Sequence, residues 1–209
     1  TVWPVEARTA RAAGWSRRIA VFALILLAVV CASHRFGFVD SCLFLAGLVP
    51  LRFKAIREGE AARESYVFSF LPLEPSGRLR IHPGPRHEAM VRRIYQELGR
   101  DVELGEPAPP SGGATAFDVH VTNCAAANVV VTSLGADLPL RLRRLVHDIV
   151  MDRLEVAFLY LPLSDPATGH FVPALEDLGF LFGGVHPGSP GREWLVLQYL
   201  IAHPGAPEN

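Results

Sequence analysis

The sequence has little lysine, little cysteine and no excess of charge of either sign. Its 209 residues include 20 Lys and Arg against 21 Asp and Glu, and Lys54 is the single lysine among them. A net charge of −1 excludes a domain that coats nucleic acid, and an apolar share of 50% excludes a disordered chain. We interpret the arginine bias as a property of GC-rich coding DNA rather than as chemistry.

The sequence also lacks paired cysteines and the sequence motif of a serine hydrolase. Cys31, Cys42 and Cys124 form no CxxC pair and leave one thiol over if any two are bridged. This pattern favours a reducing compartment and buried thiols. No Gly-x-Ser-x-Gly occurs, which excludes a nucleophile elbow. Because the chain begins at Thr1 rather than at methionine, we expect it to be a piece of a longer protein.

The most hydrophobic segment is the uncharged run from Ile19 to Ala32, which follows a group of arginines. A membrane-spanning helix needs about 20 apolar residues, so a full span is the least favoured of three interpretations. A buried strand at 28–31 and a secretory signal or short anchor both stay open. A cytoplasmic location is the first expectation, with membrane association or export through residues 19–32 as the alternative.

Proline and glycine divide the rest of the chain into short elements. Apolar runs over Cys42–Leu51 and Tyr66–Leu71 predict two strands. Pro83 and Pro85 predict the start of a helix that ends at Gly99. The apolar residues of this helix are expected on one face: Met90, Val91, Ile94, Tyr95 and Leu98.

Beyond residue 114 the predicted order of elements is β-β-α-β-α-β-β. Alternation of apolar and polar residues over Thr115–Thr122 predicts a half-buried strand, and Asp137 is expected to cap a helix. The inner face of that helix is predicted to be Leu138, Leu142, Leu145, Val146, Ile149 and Val150. The other elements are a strand at 128–132, a strand at 156–161, a helix that opens at Ser164 or Asp165 and ends at Gly179, and strands at 180–185 and 194–200.

Charge is distributed unevenly along the middle of the chain. Residues 78–100 hold six arginines against Glu88 and Glu97, whereas residues 101–140 hold five acids and no Lys or Arg. The basic segment is expected to be an ordinary solvated helix face, with docking on the acidic segment or on a partner as the alternative. The Pro- and Gly-rich stretch 105–113 is typical of a surface linker.

A weak internal repeat relates the two ends of the chain. A Gly-Phe pair at 37–38 precedes two predicted strands, and a second Gly-Phe pair at 179–180 does the same. The two pairs lie 142 positions apart, which indicates the ends of two related domains.

The remaining polar residues predict no metal or catalytic centre. His82 and His87 lie five positions apart with no third ligand in view, so we expect them to face solvent. Arg141, Arg143 and Arg144 favour either an anion site or a solvated helix face.

The order of elements resembles the GNAT acyltransferase fold. The resemblance includes the ending, in which a helix stops at Leu-Gly-Phe and is followed by two strands joined by a loop. Three stretches are similar to a bacterial GNAT-related family often joined to an ATPase module of the anti-sigma-factor type: RFGFVDSCLFLAGLVPLRFKAI, HPGPRHEAMVRRIY and LPLSDPATGHFVPALEDLGFLFGGVHPG. No segment of this sequence resembles the ATPase module itself. The resemblance implies an α/β fold with a mixed sheet, which splays between its fourth and fifth strands to admit acyl-coenzyme A.

The resemblance also implies a division into domains. Residues 1–33 form the basic and then apolar N-terminal segment, and 34–73 resemble the last third of a first GNAT-like domain. Residues 74–203 resemble a near-complete second domain with a linker at 101–114, and 204–209 are a tail.

Two tests drawn from the family point away from catalysis. The family holds the coenzyme pyrophosphate on an Arg/Gln-x-x-Gly-x-Gly/Ala loop, but the corresponding residues 132–137 lack the pattern and include Asp137. Many members carry a tyrosine four residues before Gly-Phe, where this chain has Ser33 and Leu175. We therefore assign no catalytic, cofactor-binding or metal-binding residue and expect a non-catalytic binding or regulatory module.

Two other functions stay open. One is an acetyl-CoA-dependent N-acyltransferase whose coenzyme loop lies upstream of Thr1, and the other is a small exported or membrane-tethered protein. The expected partner is a neighbouring domain or protein, with no nucleic acid, and the sequence leaves the oligomeric state open.

Overall fold

A computed structural model describes residues 38–49, 64–71, 77–122, 126–154, 156–188 and 192–201. This part of the chain forms nine strands and three helices. In chain order they are β1 (Val39–Val49), β2 (Glu64–Phe70), β3 (Leu79–Ile81), α1 (Glu88–Glu97), β4 (Val102–Leu104), β5 (Ala116–Thr122), β6 (Ala126–Ser133), α2 (Leu138–Met151), β7 (Val156–Pro162), α3 (Pro166–Asp177), β8 (Leu181–His186) and β9 (Trp194–Leu200).

Seven of these strands form one sheet in the order β2-β1-β8-β9-β7-β6-β5, and β3 pairs with β4 in a separate parallel pair. Within the large sheet every neighbouring pair is antiparallel except β6 and β7, which are parallel. The predicted mixed α/β class is confirmed, as is the order β-β-α-β-α-β-β beyond residue 114. The division into domains stays a prediction.

The three helices share one hydrophobic core with alternate residues of the central strands. Tyr95 of α1, Leu142 of α2 and Leu175 of α3 lie in the same buried cluster as Leu159 of β7 and Leu197 of β9. Because side chains alternate along a strand, these residues mark one face of the sheet as the helix-covered face. Burial of each such side chain contributes about 1.5–3 kcal/mol to stability.

Helix α3 forms where its local signals predict it. Asp165 accepts a hydrogen bond from the Ala167 backbone N–H at 2.9 Å, and Pro166 opens the helix. Gly179 ends it with φ of +97°, a backbone conformation that favours glycine. The predicted beginning and end of this helix are confirmed.

Helices α1 and α2 bury narrower faces than predicted. Met90 of α1 is 51% exposed and Val150 of α2 is 43% exposed. Each lies at the margin of the apolar stripe of its helix. The other predicted inner residues are buried or half-buried.

Strand β5 is not half-buried as its alternation predicts. Val119 and Val121 are 39% and 61% exposed, although they share a face with Phe117, which packs partly against the core. The reason lies in the topology, because β5 is the terminal strand on its side of the described sheet.

Ion pairs join the basic and acidic segments at their junction. Arg78 lies 3.6 Å from Asp101 and 3.7 Å from Glu103, across the β3–β4 pair. These side chains are largely exposed, so each ion pair contributes about 0–1 kcal/mol.

The apolar run at 19–32, Cys31, Cys124 and the tail 204–209 lie outside the described residues. Among the helices that the structure does describe, none combines the length and the apolar character that crossing a bilayer requires. Cys42 is free and buried, and burial raises the pKa of its thiol to about 12. For Cys42 the prediction of a buried thiol is confirmed.

Candidate functional site

A cleft lies on the face of the sheet opposite the described helices, beside the point where the parallel strands β6 and β7 stop pairing. Their register runs from Ala126↔Val156 to Val130↔Tyr160, although β6 continues to Ser133 and β7 to Pro162. The cleft has a volume of about 280 Å³. Its lining residues come from four strands and define what we call the β6–β9 cleft: Asn128, Val130, Tyr160, His186 and Trp194.

The most reactive group in the cleft is the imidazole of His186. Its Nδ1 atom is buried and has no hydrogen-bond partner among the described residues. Burial lowers the pKa of His186, and its own backbone and the Glu193 carboxylate offset this shift only in part. The ring is therefore neutral at pH 7, and one of its nitrogens accepts a hydrogen bond while the other donates one.

Aromatic rings surround this imidazole. His186 meets Phe70 edge-on with ring centres 5.1 Å apart, and Tyr160 in the same manner at 6.2 Å. The Tyr160 hydroxyl donates a long hydrogen bond of 3.4 Å to the Asn128 side-chain oxygen. The result is a small cleft with apolar aromatic walls and a few polar atoms, the composition typical of sites for small ligands.

The junction between β6 and α2 is where the family resemblance places a coenzyme loop. Here the backbone N–H of Gly135 donates to Thr115 Oγ1 at 3.1 Å, and that hydroxyl donates back to the Gly135 carbonyl at 3.2 Å. A Cβ at position 135 would overlap the Thr115 backbone. The loop is therefore closed by the chain's own contacts, and its glycine N–H is already used.

A carboxylate also occupies the start of α2. Asp137 does not cap the helix as predicted, because its side chain accepts a hydrogen bond from the Thr115 backbone N–H at 2.8 Å instead. That bond lowers the pKa of Asp137 and keeps it ionised. Arg141 donates to the Thr115 carbonyl and stacks over Phe117 with its guanidinium 5.0 Å from the ring centre. A pyrophosphate at this position would need free hydrogen-bond donors. These contacts instead place a negative charge there, beside donors that are already bonded.

The two positions compared with the family's tyrosine offer no acid. Leu175 is fully buried in the core under α3, and Ser33 lies outside the described residues. A leucine in the core cannot transfer a proton to a thiolate.

His82 and His87 do not face solvent, so that prediction is wrong. His82 is 5% exposed, and its Nδ1 lies 3.1 Å from the Glu106 carbonyl oxygen. His87 Nε2 lies 2.7 Å from the Glu176 carboxylate, and its ring stacks on Phe182 at 4.2 Å. The turn that leads into α1 folds back against α3 and β8, which hides both rings.

The histidines and arginines that the sequence analysis considered as ligands do not form a common site. In the described ranges no three His, Cys, Asp or Glu side chains gather as a metal site would require. Arg141 is engaged by Thr115, and Arg143 and Arg144 are exposed on α2.

A buried ionic cluster supports the strand that carries Trp194. Glu193 is 3% exposed and accepts hydrogen bonds from Tyr95 Oη at 2.9 Å, from Arg100 Nη1 at 2.7 Å and from the Gly188 backbone N–H at 3.1 Å. Burial and the Glu193 carboxylate raise the pKa of the Tyr95 phenol. The cluster ties α1 to the β8–β9 connection and so fixes one wall of the cleft.

The resemblance implied a cleft in the sheet, but sequence reasoning identified none of the residues that line this one. They lie on four strands, from Asn128 to Trp194, and share no motif or spacing. The pairing of β6 with β7, of β7 with β9 and of β9 with β8 brings them together, so no local signal was present to find.

Comparisons with known proteins identify no relative. No family model, no curated protein and no solved structure matches this chain.

Proposed function

We propose that this chain is a binding module related to the GNAT acyltransferases, that it does not transfer acyl groups itself, and that its ligand occupies the β6–β9 cleft. The relationship is supported by the order of elements and by the parting of two parallel strands. The observation that carries the loss of catalysis is the closed β6–α2 junction. There the Gly135 N–H donates to Thr115, and the Asp137 carboxylate, held by the Thr115 N–H, places a negative charge where a pyrophosphate would bind.

The cleft supports a binding role on chemical grounds. A buried polar atom without a hydrogen bond costs about 1–3 kcal/mol, so the Nδ1 of His186 favours any occupant that supplies one. The aromatic walls favour an occupant that is otherwise apolar. A buried free thiol at Cys42 agrees with a reducing, cytoplasmic compartment.

Titration with acetyl-CoA tests the loss of catalysis. Isothermal calorimetry with acetyl-CoA up to about 1 mM should give no saturable heat, and the melting temperature should not rise. Micromolar binding of acetyl-CoA would overturn the proposal and favour the enzyme alternative.

Phenol and toluene test the cleft as a matched pair of probes, because they differ only in that phenol carries a hydroxyl where toluene carries a methyl group. If His186 supplies the hydrogen bond, phenol should bind about two- to tenfold more tightly than toluene, as one net hydrogen bond implies. The His186→Phe variant should remove that difference. Equal affinity of both probes for the unmodified chain, or an unchanged preference in the variant, would contradict a binding role for this imidazole.

A further inference from the structure

The walls of the β6–β9 cleft are mostly aromatic. Three of its five lining residues are Tyr160, His186 and Trp194, which lie on the neighbouring strands β7, β8 and β9. His186 lies directly opposite Trp194 in the β8–β9 pair, so their Cβ atoms are about 4.5–5.5 Å apart on the same face. The Tyr160 ring stands nearly perpendicular to the imidazole, at 77°. All three residues are half-buried, so their rings form adjoining walls of one accessible space.

Positive charge is absent from the strands that build the cleft. The strands β5 to β9 contain neither lysine nor arginine. Their one carboxylate is Asp118, which lies opposite the lining residue Val130 in the β5–β6 pair and is exposed on the same face of the sheet. Burial lowers the pKa of His186, so its ring brings no positive charge to the cleft at pH 7. The cleft therefore combines aromatic walls with a nearby negative charge.

A cation that carries methyl groups around its charge suits both properties. The face of an aromatic ring attracts a cation within about 6 Å of the ring centre, most strongly over tryptophan. A quaternary ammonium has no N–H, so it enters apolar walls without leaving a hydrogen-bond donor unpaired. The cleft volume of about 280 Å³ is below the range of about 300–1,000 Å³ that is usual for drug-sized ligands, so the occupant is a small group.

We propose that the ligand of the β6–β9 cleft is a small free cation with a trimethylammonium group, of the size and kind of choline. This inference rests on the proposed binding function of the cleft and names the chemical class of its ligand. Zwitterions and phosphate esters of choline fit less well, because an anionic group finds no lysine or arginine on β5–β9 and is repelled by Asp118.

Choline and its neutral carbon analogue, 3,3-dimethylbutanol, are the probes for this site. They share one shape and one hydroxyl and differ in a charged nitrogen against an uncharged carbon, so their ratio of affinities reports the charge alone. Titrations of the full chain followed by two-dimensional NMR give both dissociation constants and locate the residues whose signals shift. We expect choline to bind about five- to thirtyfold more tightly, as the strength of a desolvated cation–π contact implies. Glycine betaine and glycerophosphocholine should bind more weakly than choline.

Substitutions of aromatic residues then locate the site. Trp194→Leu and Tyr160→Leu each remove one wall and should lower the preference for choline at least about threefold. His186→Phe keeps a ring in its wall, so it should retain this preference although it removes the preference for phenol over toluene. Tyr199→Leu is the matched control, because Tyr199 is an aromatic residue of β9 that packs on the helix-covered face. Far-UV circular dichroism and the urea midpoint verify that each variant folds.

Four results would overturn the inference. They are equal affinity for the two probes, tighter binding of 3,3-dimethylbutanol, tighter binding of glycine betaine than of choline, and a preference for choline that persists in both Trp194→Leu and Tyr160→Leu. The comparison of the two probes on the unmodified chain stays decisive even if a variant does not fold.

Failure of this inference is distinguishable from failure of the proposed function. If phenol shifts the signals of the cleft residues and millimolar choline does not, the cation inference fails and the binding function stands. If none of these compounds shifts the signals of the cleft residues, the proposed binding function fails as well.

Discussion

Replacing Glu193 by alanine is expected to lower the free energy of unfolding by about 3–5 kcal/mol, the usual cost of removing one partner of a buried ion pair. The carboxylate is 3% exposed and accepts hydrogen bonds from Tyr95, Arg100 and the Gly188 backbone. Its loss leaves the Arg100 guanidinium, whose side chain is 14% exposed, without its counter-charge. Since a domain of this kind is stable by about 5–15 kcal/mol, the variant should be markedly weakened.

A graded series separates the contributions to that value. Glu193→Gln keeps the shape and a hydrogen-bonding oxygen but removes the charge, so it should cost about 1.5–3 kcal/mol, the value of a hydrogen bond to a charged group. The matched control is Glu97→Gln on α1, which breaks the ion pair with Arg93. Those two side chains are 46% and 73% exposed, so the control should cost about 0.3–0.5 kcal/mol.

Urea unfolding followed by circular dichroism measures the series, with m values compared to verify that the unfolded state is unchanged. Combining Arg100→Met with Glu193→Gln closes a double-mutant cycle, and we expect a coupling of about 1–3 kcal/mol. If Glu193→Gln costs no more than Glu97→Gln, or if the coupling is near zero, then the cluster does not hold α1 to the sheet and the reasoning fails.

Three more predictions concern pH and backbone space. Burial lowers the pKa of His186, so below about pH 6.5 the unfolded chain binds a proton that the folded chain does not. The free energy of unfolding measured with urea should therefore decrease as the pH is lowered through this range. His186→Phe should flatten this slope, and an unchanged slope would refute the assignment. Burial raises the pKa of Tyr95, so stability should fall above about pH 10 as the unfolded phenol ionises, and Tyr95→Phe should abolish that fall. Gly184→Ala should lower the free energy of unfolding by at least about 2 kcal/mol, because φ at position 184 is +135° and a Cβ there would overlap the Ser41 carbonyl. In the control variant Gly77→Ala the added Cβ meets nothing within 4 Å, so the loss of stability should be much smaller. Equal losses for the two variants would contradict this account.

The elements with strong local signals were predictable from the sequence. Asp165 and Pro166 open α3 and Gly179 ends it, because capping and a left-handed turn depend on residues within one turn of the helix end. The strands β6, β7 and β9 were found for a similar reason, since each is a short apolar run between turn residues.

The errors occurred where a second segment competes for a side chain. Asp137 stands at the start of α2 and would cap it in isolation, but the backbone of Thr115 takes its carboxylate instead. His87 would face solvent at the start of α1, but Glu176 and Phe182 hold its ring. Neither partner lies within 20 residues in the sequence, so no local pattern could have reported it.

The sequence by itself determined the mixed α/β class, the order of elements beyond residue 114 and the correspondence between the two Gly-Phe segments, because hydrophobic periodicity and turn residues act over a few positions. Only the tertiary structure decided that the β6–α2 junction is closed, that His186 lies neutral among aromatic rings, and that Cys42 lies opposite Gly184 in the β1–β8 pair. Those features depend on which strands become neighbours, and strand order is set by burial of the whole sheet against its helices rather than by any one segment.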